Sequence, residues 1–253
     1  MLEAFEFVFW EALKAFALVV VALLAAKAVK AFTAQGSGRR GAAAPLTALL
    51  LLLVALGAWT VGHDVAAEVY SWVGQKNLDG NEFAAAYSNA ERAVEVRPAV
   101  LRYWQLLERS KFALRQFGSL LEDEPALRAL SPGGLDEDDT LRLAYARYFQ
   151  GEYAQTLPLT AGLIRRNPSY PKAYVLQGLA ETGLRDYAAA ERDFLQALKI
   201  LPTQADAVEG LAHACFLEGD TGRAISVLDA TAHYAFPPAD RERFKALKAM
   251  YEQ

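Results

Sequence analysis

Prolines recur along this chain at Pro98, Pro132, Pro168 and Pro202, with Pro237 and Pro238 after them. The stride of about 34 to 36 residues is the length of one helix–turn–helix hairpin. Small and aromatic residues keep step with it. Tyr174, Gly178, Tyr187, Ala190, Phe194, Ala197 and Pro202 mark one stretch, and Tyr70, Gly74, Phe83, Ala86, Ala90, Ala93 and Pro98 repeat its offsets. A single hairpin cannot bury its own apolar face, so a chain with this punctuation must stack its hairpins side by side. Alternation of Val, Ile and Thr is sparse, and Ala, Leu, Glu and Arg dominate. The expected fold is therefore all-α.

The order of these residues resembles the tetratricopeptide repeat (TPR) family: an aromatic, then Leu-Gly, an aromatic, Ala, a second aromatic, Ala and Pro. Close helix packing explains it. Gly178 and Ala190 let two backbones approach, Phe194 and Tyr187 fill the space beside them, and Pro202 stops the second helix. The resemblance covers residues 67–238 and implies about five units and a cap. Units 171–204 and 67–100 keep the pattern best. Unit 205–238 keeps Leu211, Ala212, Gly219 and Ala224 but has Phe236 in place of proline. Unit 137–170 keeps Leu143, Ala144, Gly151, Tyr153, Leu163 and Pro168, with Thr156 in an alanine position and Pro158 inside its second helix. Unit 101–136 keeps Trp104, Leu107 and Pro132, its second helix interrupted by Pro125. Residues 239–253, charged on one face, suit a capping helix.

Residues 44–62 contain no charge. As a helix such a run spans roughly 30 Å, the thickness of a bilayer's hydrocarbon. Residues 7–32 give a second expected span, in which Lys14 and Lys27 can snorkel outward from the apolar run 15–26. A cleaved signal would begin basic, whereas Glu3, Glu6 and Glu11 lie here. The expected domains are a transmembrane hairpin over 1–62 and a solenoid over 63–253. Helix A of the first repeat, about residues 64–77, can run straight on from the span, with Gly62 and His63 the plausible break. Lys27, Lys30, Arg39 and Arg40 make the connector basic, which places it in the cytoplasm and the repeats on the periplasmic side of the inner membrane.

The net charge of −4 gives no general attraction for nucleic acid. Cys215 is the sole cysteine, so no internal disulfide forms, and a buried thiol is expected there. His63, His213 and His233 lack partners at metal-ligand spacing, and no nucleophile elbow, phosphate loop or dinucleotide fingerprint occurs. Residues 131–134, Ser-Pro-Gly-Gly, read as a loop, and the acids at 136–139 as a helix start. No enzymatic activity, cofactor or metal is expected.

What remains is surface. The resemblance implies a concave face lined by first helices, here Arg102, Gln105, Arg109 and Phe112, then Leu141, Tyr145, Tyr148, Phe149 and Tyr170, then Lys172, Val175, Glu209, His213 and Phe216. Aromatics and arginine carry interface energy, so a protein partner offering an apolar or extended segment is expected. Two roles fit: a membrane-anchored scaffold acting during assembly or maturation of a complex, similar in plan to the TPR subunits of cytochrome c maturation, or a permanent accessory subunit of a large energy-converting membrane complex.

Overall fold

The computed structural model describes residues 27, 30 and 40–253, and every described element is helical. The expected span 7–32 lies outside these residues except for Lys27 and Lys30. The expected span 44–62 lies on a described helix, though most of its side chains are outside the description. Among the described residues no helix is long and apolar enough to cross a membrane. The chain divides into two compact units, Met1–Leu114 and Arg115–Gln253.

The first unit holds α1 (Arg40–Asp79), α2 (Phe83–Val96) and α3 (Leu101–Ala113). At 40 residues, α1 is about 60 Å long at 1.5 Å per residue. It passes through Gly62 and His63 without a break. An isolated helical glycine costs only about 1 kcal/mol, less than the continuity of the helix on either side supplies. Small residues then set the packing. Ala67, Ala90 and Ala93 are fully buried with Tyr103, Leu106 and Leu107. A methyl at Gly74 would lie 3.1 Å from Leu106 Cδ2 and 3.3 Å from Asn89 Cβ, so glycine permits the approach of α2 and α3. A polar seam joins α1 to α3. Buried Glu68 accepts from the Arg102 guanidinium and the Tyr103 hydroxyl, and Arg109 Nη1 donates to Gln75 Oε1 at 2.9 Å.

The second unit holds α4 (Phe117–Glu122), α5 (Glu124–Leu130), α6 (Glu137–Phe149), α7 (Tyr153–Arg166), α8 (Pro171–Gly183), α9 (Tyr187–Ile200), α10 (Ala205–Glu218), α11 (Thr221–Ala230) and α12 (Pro238–Tyr251). The helix expected to be interrupted by Pro125 is indeed two short pieces, with the proline in the first turn of α5. Asp136 caps α6, its carboxylate accepting from Asp139 N at 2.7 Å, as the acidic helix start requires. Pro158 sits inside an unbroken α7. Thr156 fills its alanine position fully buried, its hydroxyl satisfied by Glu152 O at 3.1 Å.

One ring organises the core between α8, α9 and α10. Phe194 is fully buried. A methyl at Gly178 would stand 2.9 Å from its Cε1, and one at Gly210 would stand 2.5 Å from its Cζ. Two glycines from successive first helices thus clasp the ring. In the last hairpin α11 stops early, and Phe236 turns inward against Phe244 with centroids 5.0 Å apart. This packing replaces the missing proline stop. Beside α8, Thr160 Oγ1 donates to Gln177 Oε1 at 3.1 Å, and Gln177 Nε2 donates to Asp193 Oδ2 at 2.8 Å. Glu181, one turn further along α8, leaves its Oε2 buried without a hydrogen-bond partner.

The turns inside the hairpins repeat as strictly as the prolines between them. Each carries one residue in the left-handed region: Asn81, Arg115, Gly151, Arg185 and Gly219. In four of them the following amide closes a six-residue loop, as Glu82 N to Asn77 O and Asp186 N to Glu181 O do at 2.8 and 2.9 Å. This is the Schellman helix stop, which glycine satisfies without strain and asparagine tolerates. Arginine has no such exemption. Replacing Arg185 by Gly is expected to stabilise the protein by about 0.5–1 kcal/mol, and Gly219→Ala to destabilise it by about 1 kcal/mol. Chemical denaturation of both variants with a common slope checks this.

Candidate functional site

The first helices of the second unit face a cavity of about 510 Å³. Its walls come from α6 (Tyr145, Tyr148, Phe149), α8 (Val175, Leu179), α10 (Asp206, Glu209, Gly210, His213) and α12 (Arg243, Leu247, Tyr251). The hairpin stride brings these together, because every first helix turns the same face inward.

The α6 wall is aromatic. Phe149 stacks on Phe117 at 4.5 Å between centroids and meets Tyr148 edge-on at 5.3 Å. The Arg115 guanidinium lies 5.2 Å from the Phe149 ring. Phe149 is nevertheless 45% exposed, a large apolar surface held rigid by its neighbours. Burial pushes the Tyr145 hydroxyl up to about 12, with Asp206 adding to the shift, so it stays protonated.

The opposite wall is polar and acidic. Arg243 reaches Glu209 Oε2 at 2.7 Å, Asp240 at 3.1 Å and Asp206 at 3.7 Å. Three carboxylates around one guanidinium leave net negative charge. Burial raises the Glu209 carboxyl above its ordinary value, with Arg243 opposing, and Glu209 Oε1 has no hydrogen-bond partner. Burial lowers the His213 ring, which favours the neutral imidazole; its Nδ1 lies 3.4 Å from the Tyr251 hydroxyl. Among the described residues no cluster of His, Cys, Asp or Glu is placed to hold a metal ion. Cys215 is buried and free, its thiol pushed up by burial.

Of the residues singled out from the sequence, Tyr145, Tyr148, Phe149, Val175, Glu209 and His213 share this cavity. Phe216 stacks on Tyr251 at 4.4 Å. Tyr170 donates to Asp138 at 3.5 Å, Leu141 is buried with Leu163 and Leu176, and Lys172 is exposed. Arg102, Gln105, Arg109 and Phe112 belong to the first unit. There the two arginines brace α3 against α1, while Gln105 and Phe112 are half-buried. The α12 contribution, Arg243, Leu247 and Tyr251, went unseen because that segment reads as a cap outside the repeat. One signal was present: Arg243 lies 34 residues after Glu209, the separation that also joins Glu68 to Arg102 and Gln75 to Arg109.

No family model and no curated protein matches this sequence. Solved structures do match in fold. MamA residues 41 to the end from Desulfovibrio magneticus RS-1 aligns with a TM-score of 0.60 at 15% identity, over 66% of this chain and 94% of that one. TTC0263, a thermophilic TPR protein of Thermus thermophilus, aligns at 0.55 and 20% identity, over 74% and 98%. YrrB, described as a TPR protein with an unusual peptide-binding site, aligns at 0.53 and 17% identity, over 63% and 81%. The fold is accordingly that of a TPR-like α-solenoid.

Proposed function

We propose that this chain is a non-enzymatic TPR scaffold, anchored in the inner membrane by residues 1–62. Its second unit binds a segment of a partner protein on the periplasmic side during assembly or maturation of a complex. The cavity carries this reading: a preformed, aromatic-walled concavity with an exposed Phe149 has the shape and chemistry that buries an apolar side chain. The acidic wall favours a cation beside that side chain, so the fitting segment pairs an aromatic or aliphatic residue with Lys or Arg. YrrB, with its peptide-binding site, lends the fold a precedent. The uncharged run 44–62 and the basic connector support the anchor and its orientation.

Photo-crosslinking residues at positions 148 and 149, introduced in native membranes, are expected to trap one protein reproducibly. The same residue at Lys172 is expected to trap at least tenfold less of it. Equal, unselective labelling at all three positions would remove the cavity from consideration.

The unbroken α1 favours a second reading, a permanent accessory subunit of an energy-converting membrane complex, since it fixes the first repeat rigidly to the apolar run. Gentle detergent extraction separates the two. Stoichiometric co-purification supports the accessory subunit, and a mostly free chain supports the assembly scaffold.

A further inference from the structure

α1 is apolar on two opposite sides. One side, with Ala67 and Gly74, is covered by α2 and α3. The other carries Val69, 47% exposed, and Trp72, 51% exposed, with the half-buried Val65 one turn before them. In a solenoid a preceding hairpin would cover that outer face. Here residues 1–39 come directly before α1.

The outer face has a register. Val65, Val69 and Trp72 follow heptad spacing, and the same register run backwards meets positions 62, 58, 55, 51, 48 and 44, all Gly or Ala except Leu51. The early sequence has a matching register of mostly larger residues: Leu2, Phe5, Phe9, Ala12, Phe16, Val19 and Leu23. A hairpin closing near residue 37 sets residue i opposite residue 74 − i. Phe16 and Val19 then fall beside the small positions 58 and 55, where close approach is possible. Leu2, Phe5 and Phe9 fall beside Trp72, Val69 and Val65.

We infer that residues 2–9 dock on the outer face of α1 and serve as the N-terminal cap of the solenoid, continuing one antiparallel heptad seam past the apolar run. The inference rests on the hairpin anchor proposed above. Cysteine pairs in the full chain, in a Cys215→Ala background with a protease site placed in the connector, test it in native membranes with a short bismaleimide. Phe5→Cys with Val69→Cys is expected to hold the two cleaved fragments together within one chain. Phe7→Cys with Val69→Cys, on the opposite helix face at the same height, is expected to react at least tenfold less. Val19→Cys with Ala55→Cys reports the hairpin itself. If that pair joins and the Phe5 pair does not, the docking fails and the anchor stands. If neither joins, both fail. Crosslinked dimers from the Phe5 pair would give the face to a second copy and overturn the cap.

Discussion

Gly210→Ala is expected to destabilise the protein by about 3 kcal/mol, at the upper end for one added methyl in a packed core. The new carbon would stand 2.5 Å from Phe194 Cζ, far inside the 3.5–4.0 Å at which carbons attract. The ring is hemmed in by α8 as well, where a methyl at Gly178 would stand 2.9 Å from Cε1. Relief requires α10 to move away from α9, which uncovers Val208 and Leu211 as well. Phe194→Leu shortens the side chain, so the double variant is expected to be more stable than Gly210→Ala alone, though each single change destabilises. Thermal or denaturant unfolding of the four chains measures the coupling. Additive losses would mean that the ring is not clasped.

The second expected effect is a dependence of stability on pH set by Glu181. Burial is the main cause of its raised value, about 8, followed by the hydrogen bond that its protonated carboxyl donates to Asp193, the nearby Asp193 charge and then Asp186, with Arg192 opposing. A carboxyl raised in the folded state from 4.5 favours the protonated form there. Its contribution is complete below about pH 4.5 and is lost as pH climbs toward 8, because the unfolded chain ionises freely first. The side chain is only partly buried, so screening reduces the loss to about 1–2 kcal/mol between pH 5 and 8. Glu181→Gln keeps a neutral hydrogen-bonding group of the same size. It is expected to flatten the profile and to be the more stable chain at pH 8. Parallel unfolding curves at pH 5 and pH 8 check this, and an unchanged slope in the variant would assign the dependence elsewhere.

Much of the stacking was legible because packing demanded particular residues. Gly74, Gly178, Ala90 and Ala197 had to be small, and Pro98, Pro168 and Pro202 follow the second helices they were expected to end. Pro125 divided its helix as expected. Residues that tolerate their position without being required by it left no trace. Arg115 and Arg185 occupy left-handed turns that Gly151 and Gly219 announce, and only the stride reveals them. Gly210 reads as one more small helical residue until the Phe194 ring is seen against it. The cavity was half legible: Tyr145, Tyr148, Phe149 and His213 came from repeat register, whereas α12 obeys no repeat. Arg102 and Arg109 look like ligand-binding cations, but each has a counterpart one stride earlier, Glu68 and Gln75, that claims it.

The unbroken α1 gives the chain a phase. Each residue of a helix advances its faces by about 100°, so a single insertion between 57 and 63 would swing the first hairpin around the axis by nearly a third of a circle. Seven inserted residues would restore its azimuth to within about 20° while lifting it by about 10 Å. Whatever grips the early half of this rod therefore decides the compass bearing of the first hairpin, and evolution can lengthen the shaft only in steps that bring it back around.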